Sequence, residues 1–231
     1  MKEKTNFLSW FAAALSLAAT LIWPSVAAAE PWADKPLATV ETLARQGDTR
    51  AERELCIRYA KGFGVEQDLE AAHGWCSKAA EKEDPVAMRN IGLSYLNGGV
   101  VDEDEELAVE WFRKAAERGE ARAQYNLGVL YYEGRGVTRD YAKAIEWYRR
   151  ASAQGAEKAQ RNLGYMLANG KGTAVNLTEA YTWFEIADRL GEPKAAHDRN
   201  VTAHKLSAEQ IAEAKKAADA WKPTFEMDYF D

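Results

Sequence analysis

The stretch QYNLGVLYYEGRGVTRDYAKAIEWYRRASAQG, residues 124–155, decides the fold, because its pattern returns along the chain at a fixed interval. Trp75, Trp111, Trp147 and Trp183 stand 36 residues apart and account for four of the eight tryptophans. The same offset joins Leu55, Ile91, Leu127 and Leu163, then Tyr59, Tyr95, Tyr131 and Leu167. Two alanine series share it: Ala72, Ala108, Ala144, Ala180 and Ala79, Ala115, Ala151, Ala187. A register of this kind is the signature of a repeat array.

Within a unit the apolar spacing is helical, as in Leu107, Ala108, Trp111, Phe112 and Ala115, so each unit is predicted to be two short helices. Gly62 and Gly64, Gly134 and Gly136, and Gly170 and Gly172 supply a turn that ends the first helix, while Asp68, Asp104, Asp140 and Asn176 fall where a side chain caps the second. In the second unit Val100 replaces the second turn glycine, so that turn must take another shape. The acidic run Asp102 to Glu106 after it suits a solvated helix start. Gly92, Gly128 and Gly164 let the paired backbones approach, and Trp and Tyr are expected to fill the space between hairpins. One hairpin buries too little apolar area to stand alone, so the units must stack.

The strings quoted above, with MRNIGLSYLNGG (88–99) and ELAVEWFRKAAERG (106–119), resemble the Sel-one-like repeat (SLR), a 36-residue relative of the tetratricopeptide repeat. The resemblance implies an all-α fold: an α/α solenoid, a right-handed superhelix of helix-turn-helix repeats whose first helices line a concave surface. The units would be residues 49–84, 85–120, 121–156 and 157–192, with a half unit over 30–48 and capping helices and tail over 193–231. In LSAEQIAEAKKAADAWKP (206–223), Ser207 and Gln210 make a capping box. Family members act in protein interaction, as bacterial envelope adaptors, regulators of exopolysaccharide signalling and immunity partners of secreted toxins.

Residues 1–29 read as a secretory signal peptide: Lys2, Glu3 and Lys4, an apolar run from Phe7 to Ile22, Pro24, and small residues up to Ala29. Cleavage near Ala29 would place the protein in the periplasm or outside the cell, and the rest of the sequence has no stretch of membrane length. With 30 Lys and Arg against 36 Asp and Glu, a net charge of -6 argues against nucleic acid as a partner.

Cys56 takes the place of Gly92, Gly128 and Gly164, and Cys76 that of Phe112, Tyr148 and Phe184. In an exported protein this invites a disulfide closing a loop of about 20 residues, worth about 3 kcal/mol. Two buried thiols are the other reading.

Three residues before the small position of each first helix stand Arg53, Arg89, Tyr125, Arg161 and His197; three further back stand Arg50, Val86, Arg122, Lys158 and Lys194. Tyr132 and Tyr165 join this face. The expectation is a basic, aromatic stripe for an anionic partner: another envelope protein, its acidic segment, or an acidic glycan, gripped through Arg forks and Tyr stacking. The competing reading pairs these cations with acids of neighbouring units, such as Glu52, Glu54 or Glu157.

No catalytic residue, metal site or cofactor is expected. S-x-x-K, G-x-S-x-G, H-E-x-x-H and a phosphate loop are all missing, and the G-x-G pairs recur with the repeat as turns. Of the three histidines, His73 is expected to be exposed, and His197 and His204 stand seven apart. The function expected is a periplasmic interaction module that binds an anionic segment in its groove. An immunity protein occluding an exported toxin, and a cell-wall or β-lactam hydrolase, are the alternatives.

Overall fold

The computed structural model describes residues 32–224, so the expected signal peptide lies outside the described residues. The chain divides between Lys35 and Pro36. The described part of the first unit is a 3-10 turn, Trp32–Asp34, with Lys35 Nζ 5.5 Å from the Trp32 ring centroid. From Pro36 onward the described residues are all helix and turn.

Helix α1 (Leu37–Arg45) precedes four hairpins, α2 (Thr49–Lys61) with α3 (Leu69–Glu81), α4 (Pro85–Asn97) with α5 (Glu105–Glu117), α6 (Ala121–Glu133) with α7 (Tyr141–Ala153), and α8 (Glu157–Asn169) with α9 (Leu177–Arg189). All eight hairpin helices are 13 residues long, and corresponding helices start 36 residues apart. Each packs against the helices before and after it, which is the connectivity of a solenoid. Helix α10 (Ala195–Ala203) continues the first-helix series against α9 and α8.

The caps lie where the sequence puts them. Asp68, Asp104, Asp140 and Asn176 each accept a hydrogen bond from the backbone N–H three residues on, satisfying a donor left free in the first turn. Gly62, Gly134 and Gly170 close the first helices in the left-handed conformation. In the second unit Gly98 has φ 68° and ψ -162° and Gly99 has φ 104°, so this turn does differ.

The tryptophans pack against the core from its margin, while the residue after each is the fully enclosed one. Phe112, Tyr148 and Phe184 are among the largest fully buried side chains, whereas Trp75, Trp111, Trp147 and Trp183 are half-buried. One helical residue is a rotation of about 100°, enough to turn the indole from the helix interface to its flank. There a cation one turn on covers three of the indoles: Lys78 on Trp75 (4.1 Å to the centroid), Lys114 on Trp111 (4.3 Å) and Arg150 on Trp147 (4.6 Å).

Each buried ring lies on the glycine of its partner helix. A Cβ at Gly92 would stand 2.9 Å from Phe112, one at Gly128 2.5 Å from Tyr148, and one at Gly164 2.7 Å from Phe184. In the first hairpin the same two positions hold Cys56 and Cys76, which are disulfide-bonded with Cα atoms 5.0 Å apart. The bond therefore replaces a ring-on-glycine contact.

The chain closes with α11 (Ala208–Ala220), whose Ser207–Gln210 capping box forms. Instead of pairing with α10, α11 packs on α9, where Thr182 Oγ1 donates to the Ala214 carbonyl (3.3 Å) and Arg189 pairs with Asp219 (2.8 Å). It buries only Ala214 and Ala218, leaving its other face polar as the end of an array requires.

Two stability predictions follow from repeat equivalence. Cys56→Ala with Cys76→Ala should lose about 3 kcal/mol in urea unfolding. Cys56→Gly with Cys76→Phe should regain most of it and make stability indifferent to reductant. Glu83 has φ 65° where every other unit has glycine, at Gly47, Gly119, Gly155 and Gly191. Glu83→Gly should therefore stabilise by about 1 kcal/mol, seen as a higher midpoint, since its exposed pair with Arg118 is worth little.

Candidate functional site

The arginines of the expected stripe turn inward to the next unit. Arg53 pairs with Asp84 (3.1 Å), the N-cap of α4, and Arg89 with Glu120 (3.4 Å), the N-cap of α6. The Arg53 and Arg89 side chains are 11% and 13% exposed, so these pairs are largely shielded from water. Burial pushes the Glu120 carboxyl above the usual carboxylate range, against the pull of Arg89, and burial likewise lowers Arg89. Such pairs tie one hairpin to the next through Nη1 of Arg53 and Nε of Arg89, the latter close to its carboxylate but without a hydrogen bond. Arg161 pairs with Asp198 of α10 (2.7 Å) but stays 26% exposed. The pairing reading thus describes Arg53 and Arg89, through Asp84 and Glu120. Glu52 instead meets Lys82, and Glu54 meets Arg58.

The ladder breaks at the third unit. The counterpart of Arg53 and Arg89 is Tyr125, and the counterpart of Asp84 and Glu120 is Ala156, which gives α8 no side-chain cap. A cavity of about 330 Å³ opens at this break. Tyr125, Val129, Tyr132 and Glu133 of α6 form one wall, and Arg161, Asn162, Tyr165 and Met166 of α8 the other, with Tyr148 of α7 beneath. Asn162 Nδ2 donates to the Tyr148 hydroxyl (3.2 Å), and burial pushes the Tyr148 phenol far above its usual range, so it stays neutral. Burial, then the nearby Glu192 charge, raises Tyr125 too, although Asn162 opposes. The cavity is at the small end of ligand pockets, about the room that side chains of a docked segment need.

The charged residues of its lining are Glu133 and Arg161, and beside it, against the Tyr132 and Tyr165 rings, stands Lys171, a residue absent from the expected stripe. Lys171 lies between Gly170 and Gly172, both at positive φ. A Cβ on Gly172 would stand 2.6 Å from the Tyr141 backbone, so the turn rests directly on the start of α7. That contact holds Lys171 Nζ 4.7, 5.1 and 5.6 Å from the ring centroids of Tyr132, Tyr165 and Tyr141, while it donates to the Tyr132 hydroxyl. The Tyr132 hydroxyl holds the ammonium protonated, raising its pKa. Among the described residues Lys171 has no carboxylate partner. One repeat earlier the same turn carries Arg135, which pairs with Glu105. Tyr141 replaces Glu105 in the next unit, so the sequence held this signal: a turn cation whose acid has become tyrosine.

Of the other expected residues, Lys158 and Lys194 are exposed and without an ion pair among the described residues, Arg122 is exposed, and Val86 is buried. A wider depression of about 800 Å³ along the turns of the first two units has Glu66, Asp68 and Glu70 in its wall, the wrong sign for an anion. His73 corrects its expectation: it is half-buried, edge-on to Tyr95 (6.4 Å), with its Nδ1 unbonded and its pKa lowered by burial. His197 and His204 are exposed. No cluster of three metal-ligating side chains occurs among the described residues, and none of their helices is long and apolar enough to cross a membrane.

The Sel1 repeat model matches residues 49–84, 85–120, 121–155 and 157–191. The chain belongs to the Sel1 repeat family. Among solved structures, a protective antigen of uropathogenic Escherichia coli strains with an SLR fold is 36% identical with a TM-score of 0.74, over 80% of this chain and 40% of that one. This Sel1 repeat chain thus spans well under half the length of that protein. A Sel1 repeat protein from Oxalobacter formigenes is 28% identical with a TM-score of 0.65, over 79% and 81% of the two chains. No curated protein sequence matches. Sel1 repeat proteins are in general non-catalytic modules that bind other proteins.

The ladder and its break separate framework from site. Arg89→Ala, which leaves Glu120 buried without its partner, should cost about 3 kcal/mol in chemical denaturation. Tyr125→Arg with Ala156→Asp should rebuild the ladder across the break, keep stability within about 1 kcal/mol and block the cavity, as a crystal structure of the variant would record.

Proposed function

We propose that this chain is an exported adaptor that holds an anionic segment of another envelope protein on its first-helix face, centred on the cavity between α6 and α8. The observation that carries the reading is Lys171, a cation lodged among three tyrosine rings with no carboxylate to neutralise it. An acidic side chain entering beside Tyr132 and Tyr165 meets this ammonium and pairs with it through a charge-assisted hydrogen bond. Lys158 and Lys194 extend the positive face, and Tyr125 and Tyr165 offer flat apolar area that costs little entropy to use. Because the array is preformed, an extended segment binds without paying to order its receptor.

Export is supported by the signal-peptide pattern of residues 1–29 and by the Cys56–Cys76 bond, which persists in an oxidising compartment.

Crosslinking in cells and affinity capture of the chain, compared with its Lys171→Glu/Tyr165→Ala variant, tests the reading. A single envelope protein held by the parent, released by moderate salt and lost at least tenfold in the variant is the expected result. Undiminished capture by a folded variant would refute it.

A further inference from the structure

In the third and fourth hairpins the turn that joins the paired helices sits down on the unit before it. A Cβ on Gly136 would collide with the Glu105 carbonyl, and one on Gly172 would stand 2.6 Å from the Tyr141 backbone. Glu105 and Tyr141 are the first residues of α5 and α7. So close an approach is open only to glycine. In the second unit that glycine is Val100, whose side chain bars the same seat on the start of α3. The turn stands off instead: a Cβ on Gly99 would meet nothing within 4 Å. The depression of about 800 Å³ opens there, with Leu69 and Glu70 of α3 and Gly99 and Val100 of the turn in its wall.

The opening leaves apolar side chains uncovered. Leu69, whose counterparts Glu105 and Tyr141 lie under the next turn, is 49% exposed, and Phe63, beside Gly64 of the first turn, is 65% exposed. Tyr59 and Val100 add half-buried apolar surface to the wall. Apolar side chains gathered in one depression and rimmed by charge mark an interaction surface, where single exposed ones do not. Every charged residue of the lining is an acid: Glu66, Asp68 and Glu70. Asp68 caps α3, whereas Glu66 and Glu70 are exposed and without an ion pair among the described residues. Their counterparts are Asp102 and Glu106 in the second unit, but Thr138 and Ala142 in the third and Ala174 and Thr178 in the fourth. This charge therefore belongs to the first two units alone.

We infer that this depression is a second docking surface, for a basic, apolar segment of a partner protein. Leucine-sized side chains enter it against Tyr59, Leu69 and Val100, and the lysines or arginines that flank them meet Glu66 and Glu70. Charge complementarity selects the partner and steers its approach, because the wall holds acids and no base. Burial of the aliphatic side chains supplies the part of the affinity that has no direction. The surface is independent of the groove reading, since it lies on the first two units and the α6–α8 cavity joins the third to the fourth. One array thus carries sites for two segments of opposite charge, which is what an adaptor needs in order to join their owners.

The probe is an amidated, fluorescein-labelled heptapeptide of alternating lysine and leucine, read by anisotropy on the full chain, with thermal unfolding as the check on each variant's fold. It should saturate one site per chain and be released as salt is raised. A heptapeptide of alternating lysine and serine, which keeps the charge and lacks the apolar side chains, should bind at least tenfold more weakly. Glu66→Lys with Glu70→Lys, and separately Leu69→Ser with Val100→Ser, should each weaken the lysine–leucine peptide at least tenfold. Failure to saturate, equal binding of the lysine–serine peptide, or undiminished binding by either folded pair of substitutions would overturn the inference. A tenfold loss in the Lys171→Glu/Tyr165→Ala variant would do the same, by placing the peptide in the α6–α8 cavity. So would a chain that dimerises with concentration in sedimentation while its Glu66→Lys/Glu70→Lys variant stays monomeric, because the surface would then belong to a second copy. Envelope capture that needs Lys171 while the peptide fails to bind would refute the second surface alone. Peptide binding with capture indifferent to Lys171 would refute the groove reading alone.

Discussion

The structure depends on a ring laid on a glycine. Phe112, Tyr148 and Phe184 reach across their hairpins to Gly92, Gly128 and Gly164, where a Cβ would stand 2.9 Å away or less. The contact sets the distance between paired helices and buries a whole aromatic side chain, each worth about 2–3 kcal/mol. With the interhelical distance fixed, the next unit meets a surface of constant shape, and the small alanines at Ala79, Ala115, Ala151 and Ala187, all fully buried, let it pack closely. The Cys56–Cys76 bond solves the same spacing problem covalently.

Upon this scaffold the ion pairs act as register pins. Arg53 with Asp84 and Arg89 with Glu120 tie a first helix to the N-cap of the next, so the cap acid serves both its own helix and its neighbour. A surface committed to such pairs cannot also grip a ligand with the same guanidinium groups. The pattern lapses at Tyr125 and Ala156. There the missing pair leaves a cavity between α6 and α8.

Most of the fold was legible in the sequence, because a period of 36 reports the same physical demand four times. Two short helices per unit, the caps at Asp68, Asp104, Asp140 and Asn176 and the odd turn at Gly98 were readable, and Cys56 and Cys76 were seen to face each other with a disulfide and two buried thiols as the two readings. The pattern alone did not say which of the indole and the following aromatic faces the partner helix, since the two differ by one residue. The site was half legible. Tyr125, Tyr132, Arg161 and Tyr165 of the stripe line one cavity, but Arg53 and Arg89 find their carboxylates 31 residues on, in the next unit. Composition along one helix cannot reveal such a pairing. Comparison between units can: Arg with Asp, Arg with Glu, then Tyr with Ala is a joint change, and so is Arg135 with Glu105 against Lys171 with Tyr141.

The disulfide also bears on how the array comes apart. In a linear array each end unit has one neighbour fewer, so unfolding by fraying starts at the ends. The first full hairpin is the one that Cys56 and Cys76 close, and its α2 and α3 cannot separate while the bond is intact. The N-terminal end is thereby denied its usual role as the soft end, and amide exchange along the array should grade from one direction only. A cell that reduced this single bond would remove the asymmetry and open the first hairpin as a second place where a protease can begin.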